Sequence, residues 1–304
     1  MRKVILAVLL TLLAPFCRAY TLTPEIGGIK QVVEISTDDP AKPVLLFLSG
    51  GPGSSMMKNA DAFTDQLKGR FTLVQWDQRD AGQTLKLNPS PVQPSLELML
   101  SDTYQVIEFV RKELRQDKIY LLGSSWGNVL GFHIVRTHPE LLHAYFAVNP
   151  VVSQLASEKA LLVTLKAHFH DNADAIAELN RVRVPLESDE DMFYLRKWLF
   201  FKEGKQFVMT SEFKSYFMQW FKAWSPLWNE VMRIDLATSL PSVACPVYFL
   251  VGRNDIQTST QVTTAYFDKL AAPAKALFVF EHSGHQIHLE EPVRFQRVIL
   301  EATR

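Results

Sequence analysis

Ile119-Tyr120-Leu121-Leu122-Gly123-Ser124-Ser125-Trp126-Gly127 is the stretch that decides the reading of this chain. A short apolar run enters it, and residues 126–137 leave it with helical spacing of their apolar positions. A strand therefore passes into a helix through one sharp turn with a serine at the apex. Glycine two positions to either side of Ser125 lets such a turn close without side-chain clashes. The helix start beyond it sets backbone N–H groups and a partial positive charge beside the serine oxygen. Gly123 to Gly127 fits G-x-S-x-G, the pattern that presents a serine nucleophile. Without the flanking strand and helix the same residues would be no more than a Gly/Ser turn.

Working outward, Val44 to Leu48, Phe71 to Trp76, Ala144 to Val148, Val247 to Val251 and Leu277 to Phe280 are further short apolar runs that read as strands buried on both faces. Pro24 to Ile35 offers an antiparallel edge. Between the runs lie helical patterns over Ser95 to Leu114, Trp126 to Thr137 and Pro292 to Ala302. Strands alternating with helices predict an α/β fold with a mostly parallel sheet flanked by helices. The alternation breaks between residues 150 and 240, where no strand-like run occurs and aromatic residues such as Phe193, Trp198, Phe217, Trp220, Trp224 and Trp228 recur in amphipathic patterns. That stretch is expected to be a helical insertion, dividing the core into residues 20–149 and 241–304.

A serine hydroxyl needs a base, and the chain order expected behind a strand–serine–helix turn is serine, acid, histidine. Asp255 follows the run ending at Val251, and His285 follows the last run. Both stand in loops at the carboxyl ends of strands, where open α/β sheets hold their sites. Ser125 is thus the expected nucleophile, His285 its general base and Asp255 the acid that orients the base. Ser49-Gly50-Gly51-Pro52-Gly53 follows the run Val44 to Leu48. Its glycines allow close backbone approach to a ligand, so the N–H groups of Gly51 and Trp126 are the expected oxyanion donors. No Gly-Lys-Ser/Thr and no G-x-G-x-x-G accompanies this loop, which removes a phosphate cradle. His282, His285 and His288 are three apart but lie in a loop, where helical spacing does not apply. Neither a metal nor another cofactor is expected.

The whole chain sets further bounds. Its 304 residues carry 32 basic and 32 acidic side chains, so no net charge advertises nucleic acid or an anionic surface as partner. A small molecule or a short peptide is the expected substrate. Arg2 and Lys3, the apolar run Val4 to Leu13 and the small residue Ala19 read as an export leader over residues 1–19. The apolar run is about half the ~20 residues that a spanning helix requires, so no stable membrane insertion is expected once the leader is removed. Cleavage after Ala19 leaves Cys245 alone, with no internal disulfide, as a small buried hydrophobe.

With these residues in place, the chain resembles the proline iminopeptidase group of α/β-hydrolases over nearly all of its length beyond the leader. Gly50-Gly51-Pro52-Gly53, Trp76-Asp77-Gln78-Arg79 with Gly82, Gly123 to Gly127, the insertion after Asn149 and the loops of Asp255 and His285 carry the resemblance. It implies a helical cap over the site and removal of an amino-terminal residue from peptides, amides or related esters. It also implies that Asp77 and Arg79 form a structural charge pair. The sequence departs from the group where Ser49 stands for the usual histidine and Asp80 for the usual glycine. The group holds the substrate's amino group with cap acids, one of them often following a tryptophan; here Asn229 follows Trp228. Glu203, Glu212 and Glu230 are the candidate amine ligands, with Trp228 beside them. An acid aimed at Ser125 favours an aminopeptidase, whereas an apolar pocket without one favours a carboxylesterase. A ligand-binding protein that keeps the fold without turnover is the third expectation.

Overall fold

The computed structural model describes residues 18–304. The leader expectation therefore falls mostly outside the described residues; Arg18 and Ala19, its last two, open the first strand. In chain order the strands are β1 (Arg18–Leu22), β2 (Glu25–Ile26), β3 (Ile29–Lys30), β4 (Val32–Thr37), β5 (Val44–Leu48), β6 (Thr72–Asp77), β7 (Ile119–Ser124), β8 (Leu142–Val148), β9 (Val247–Gly252) and β10 (Lys275–Phe280). The α-helices are α1 (Asp61–Thr64), α2 (Gly82–Leu87), α3 (Leu96–Glu113), α4 (Gly127–Thr137), α5 (Gln154–His168), α6 (Ala173–Leu179), α7 (Asp189–Lys202), α8 (Ser211–Val231), α9 (Leu236–Ser239), α10 (Thr260–Lys269), α11 (Ile287–Glu290) and α12 (Pro292–Ala302).

Eight strands form one sheet in the order β1-β4-β6-β5-β7-β8-β9-β10. From β6 to β10 every pairing is parallel, while β1 and β4 add an antiparallel edge. All six expected parallel strands are present, and β1 is the one that sequence reading did not include. The parallel strands are apolar throughout because both faces are covered. Along β5, Leu46 and Leu48 enter one apolar cluster with Ile107, Leu130 and Ile134 of α3 and α4. Leu45 and Phe47 point the opposite way, to Phe63, Phe295 and Ile299 of α1 and α12. This period of two within an unbroken apolar run is the signature of a strand between two helical layers. Ser95 caps α3 by accepting the Leu98 N–H at 3.2 Å, which explains why the helix starts where its apolar stripe does.

Between β8 and β9 the chain is helical, with α5 to α9 in sequence. Two small apolar clusters hold this insertion together. One centres on Leu161, Leu195 and Trp198, the other on Met192, Phe193, Phe217 and Trp228. Among the described residues no helix is long and apolar enough to cross a membrane.

Candidate active site

Ser125 follows the last residue of β7 with φ of 52°, the left-handed region that a non-glycine residue enters at a cost of about 1–3 kcal/mol. The surroundings hold it there. Its N–H donates to the Val148 carbonyl at 3.0 Å, and Asn128 Nδ2 donates to the carbonyls of Ser125 (3.1 Å) and Val148 (2.9 Å). Tyr145 in turn donates its hydroxyl to Asn128 Oδ1 at 2.7 Å. The two flanking glycines are demanded by close approach. A Cβ on Gly127 would lie 2.2 Å from the Leu48 carbonyl oxygen, and one on Gly123 would lie 2.4 Å from Tyr145 Oη.

His285 lies in the loop after β10 and Asp255 in the turn after β9. The imidazole bridges the other two residues: Nδ1 is 2.8 Å from Asp255 Oδ2 and Nε2 is 2.9 Å from Ser125 Oγ. An ionised carboxylate can only accept, so Nδ1 carries the proton and Nε2 is free to accept the serine hydroxyl. Burial alone would raise the Asp255 pKa, but the His285 charge and four donors outweigh it and hold the carboxyl below its ordinary value. Those donors are His285 Nδ1, the Thr258 hydroxyl at 2.8 Å, and the N–H groups of Gln257 (2.8 Å) and Thr258 (3.2 Å). For His285 the balance runs the other way. Burial lowers its pKa, Asp255 raises it more, Glu203 adds to the rise and Lys205 opposes it, so the ring titrates above its ordinary value.

The Ser49 to Gly53 loop lies against the serine turn: a Cβ on Gly50 would be 3.4 Å from Ser125 Cβ. Gly51 has φ of 121°, and a Cβ there would lie 2.8 Å from Ser54 N, so only glycine fits. Neither the Gly51 N–H nor the Trp126 N–H meets a protein acceptor among the described residues. Gln78 ties the two strands of this site together, accepting from Trp126 Nε1 and donating to the Ser49 carbonyl, each at 3.0 Å. The insertion closes over the same loop, with Trp220 Nε1 donating to the Pro52 carbonyl at 3.2 Å.

A cleft of about 590 Å³ opens at Ser125 and His285. The insertion supplies its walls through Met192, Phe200, Phe213, Phe217, Trp220 and Trp228. Its charged lining residues are Arg196 and Lys205, and among the described residues no aspartate or glutamate lines it.

None of the three expected amine ligands lines the cleft, although Trp228 beside them does. Glu212 is exposed at the start of α8, where its carboxylate meets Ser211 Oγ at 3.2 Å. Glu230 turns outward to the Leu96 N–H, at 3.4 Å. Glu203 comes near His285, yet its carboxylate is taken by Lys205 Nζ (2.9 Å) and Gln257 Nε2 (3.0 Å) and does not line the cleft. These three expectations are corrected for one reason: an acid on an amphipathic helix is drawn to solvent or to a cation unless buried partners hold it inward. The expected pairing of Asp77 with Arg79 is also corrected. Arg79 binds Asp102 through Nε (2.9 Å) and Nη2 (3.2 Å), whereas Asp77 Oδ2 accepts the Gln83 N–H at 2.6 Å.

His288 is buried, and burial pushes its pKa down to about 4. It packs edge-on to Phe63 with ring centroids 4.9 Å apart, and among the described residues no group of three metal-ligating side chains occurs. Cys245 is buried too, its thiol pushed up to about 11 by burial, an inert hydrophobe as its sequence position suggested. Sequence reading missed Asn149, which follows β8 with φ of 42°. Its Nδ2 donates to the carbonyls of His285 (2.7 Å) and Gly284 (3.2 Å), and its Oδ1 accepts the Gly252 N–H at 2.9 Å. A lone polar residue at the end of an apolar strand was the available signal. Thr258 was missed as well, since its role depends on the fold of the Asp255 turn.

Comparison with known proteins agrees with this architecture. The alpha/beta hydrolase fold family model matches residues 43–292. The probable aminopeptidase YbaC of Bacillus subtilis (strain 168) is 28% identical over 295 residues, covering 90% of this chain and 93% of its own. The proline iminopeptidase of Heyndrickxia coagulans is 25% identical over 288 residues, covering 90% and 94%. The solved proline iminopeptidase-related protein of Thermus thermophilus superposes with a TM-score of 0.64 at 21% identity, covering 94% of this chain and 97% of that one. The chain belongs to the alpha/beta hydrolase fold family and is a hydrolase similar to the proline iminopeptidases.

Proposed function

We propose that this protein is a serine hydrolase that cleaves carboxylic esters or amides through an acyl-enzyme. The observation that carries the reading is His285 bridging Ser125 and Asp255 at hydrogen-bond distance on both sides. Ser125 Oγ attacks the substrate carbonyl as His285 Nε2 takes its proton, and the Gly51 and Trp126 N–H groups hold the resulting oxyanion. Collapse breaks the bond to the leaving oxygen or nitrogen, which receives the proton from His285. Water then adds to the acyl-enzyme, giving its proton to His285, which returns it to Ser125 as the acid is released. Asp255 keeps the imidazole in the required tautomer throughout.

Two substrate readings follow. The names of the relatives support an aminopeptidase acting on short peptides or arylamides. The cleft without a lining carboxylate supports a carboxylesterase, because a buried ammonium without an anionic partner is costly. The cleft is this chain's own property, so we favour the ester. Residues 1–19 are proposed as an export leader, to be checked by sequencing the amino terminus of the protein recovered from the cell exterior or periplasm. The deciding experiment compares proline and alanine arylamides with short acyl esters, using Ser125→Ala as control. Ester cleavage that vanishes in the control supports the favoured reading; arylamide cleavage at comparable kcat/KM moves it to the aminopeptidase. No Ser125-dependent turnover of either overturns the hydrolase mechanism.

A further inference from the structure

Two ion pairs of the helical insertion stand at the cleft with the same orientation. Arg196 and Lys205 line it, whereas their partners Glu158 and Glu203 do not. Glu158 is fully buried, bound by both terminal nitrogens of Arg196, with Nη1 at 2.8 Å from Oε2. Gln154 Nε2 donates to the same carboxylate at 2.6 Å and fixes it in place. Nothing among the described residues accepts from Arg196 Nε. Lys205 repeats the arrangement with Glu203, and both act electrostatically on His285.

Seen from the bound substrate, the ionised groups of the wall are therefore cations, with the carboxylates set behind them. A substrate ammonium would face like charge and find no lining carboxylate. A substrate carboxylate would meet the unused Nε–H of a guanidinium already held in place by Glu158, in a site where charge-assisted hydrogen bonds are strong. Apart from Gln154, the other lining side chains of the insertion are apolar or aromatic, Met192, Phe217 and Trp220 among them, which fits a hydrocarbon segment between two polar ends.

We propose that the cleft selects acyl substrates that carry a carboxylate, with Arg196 as its principal ligand and Lys205 adding to the favourable potential. Resting on the serine hydrolase reading above, this names the substrate class as monoesters of dicarboxylic acids with an apolar chain between the two carbonyl carbons. The acyl-enzyme then holds its free carboxylate at Arg196, and hydrolysis releases the dicarboxylic acid and the alcohol.

The test is a set of aryl esters of matched chain length: the dicarboxylate monoester, its methyl-capped diester and the plain alkyl ester. The wild-type protein should favour the monoester in kcat/KM by about tenfold or more, chiefly through KM, and the preference should shrink as ionic strength rises. Arg196→Lys keeps a charge opposite Glu158 but removes the fork, and should lose most of the preference. The paired change Arg196→Met with Glu158→Met removes the ion pair without leaving either charge alone, and should abolish it. Equal kcat/KM for all three esters in the wild type, or full preference in the folded Arg196→Lys protein, overturns the proposal while leaving the serine hydrolase reading intact. Absence of Ser125-dependent turnover of every ester overturns the underlying reading as well.

Discussion

Asn149 Nδ2 donates to the His285 carbonyl at 2.7 Å while Asn149 Oδ1 accepts the Gly252 N–H at 2.9 Å, so one side chain joins the His285 loop to the strand that leads to Asp255. The two loops are also joined by the Asn254 N–H donating to the Ser283 carbonyl at 3.0 Å, but only Asn149 reaches the His285 carbonyl itself among the described residues. Asn149 is also one of the few residues that tolerate its positive φ. Asn149→Ala leaves three backbone groups without this partner in a largely buried setting, and should cost about 1–3 kcal/mol in urea unfolding. It should lower kcat more than it raises KM, since it loosens the imidazole rather than the substrate wall. An unchanged kcat would show that the Asp255 contact alone positions the ring.

Hydrolysis should rise with pH through the titration of His285, because only the neutral ring can accept the Ser125 proton. The ring titrates above its ordinary value of 6.5, so the acid limb of kcat/KM should lie above that pH. Glu203 contributes to the rise, and Glu203→Gln should move the limb to lower pH; Lys205 opposes it, and Lys205→Gln should move the limb to higher pH. Asp255→Asn removes the larger raising influence and the acceptor that fixes the tautomer. Its kcat should fall by a factor on the order of 10⁴ with the fold retained, as measured by burst-free initial rates and circular dichroism. A limb that ignores Glu203 and Lys205 would mean that the rate is governed by a group other than His285.

Much of this architecture was legible in the residues because parallel strands buried on both faces leave unbroken apolar runs, and Ser125, Asp255 and His285 each follow such a run. In the structure the His285 imidazole lies within 3 Å of both Asp255 and Ser125. The supports were not legible. Asn149 and Gln78 act through bonds between segments that are remote in sequence, such as the 136-residue separation of Asn149 and His285, and Thr258 acts through the fold of the Asp255 turn three residues away. The insertion misled for a related reason: its acids occur at helical spacing, but which face a helix turns inward depends on partners in other helices. Glu158 is held inside by Arg196, 38 residues away, and no local pattern marks it. Strand β1 was overlooked because its first residues overlap the leader pattern.

The turn that carries Ser125 should be intolerant of even one methyl group at Gly127. Its Cβ would sit 2.2 Å from the Leu48 carbonyl oxygen and 2.9 Å from that of Ser49, backbone atoms of the sheet and of the loop that carries Gly51. Neither can yield without moving β5 or the Gly51 donor. Gly127→Ala should therefore reach or exceed the upper end of the ~1–3 kcal/mol that overpacking costs. Whatever folds should lose activity more steeply than stability, since relief comes by displacing the Gly51 N–H. Thermal unfolding beside Ser125-directed labelling checks this; normal labelling in a stable variant would mean that the turn has more freedom than the close approach allows.

Arg79, the neighbour of Gln78 in the chain, forms a buried ion pair with Asp102, its guanidinium also donating to the Gly27 carbonyl at 2.7 Å and to Ser90 Oγ at 3.0 Å. Gln31 Nε2 donates to the same Asp102 oxygen at 2.7 Å. Burial raises the pKa of Asp102 against the pull of Arg79 and Gln31. Asp102→Ala strands a guanidinium in the interior and should destabilise the fold by about 3–5 kcal/mol. Arg79→Met with Asp102→Leu removes both charges and should recover a substantial part of that loss, though the Gly27 carbonyl loses its donor. Because the pair touches neither Ser125 nor the cleft, KM should stay near the wild-type value in every variant that folds. A double variant no more stable than Asp102→Ala would show that the hydrogen bonds to Gly27 and Ser90, rather than the stranded charge, set the cost.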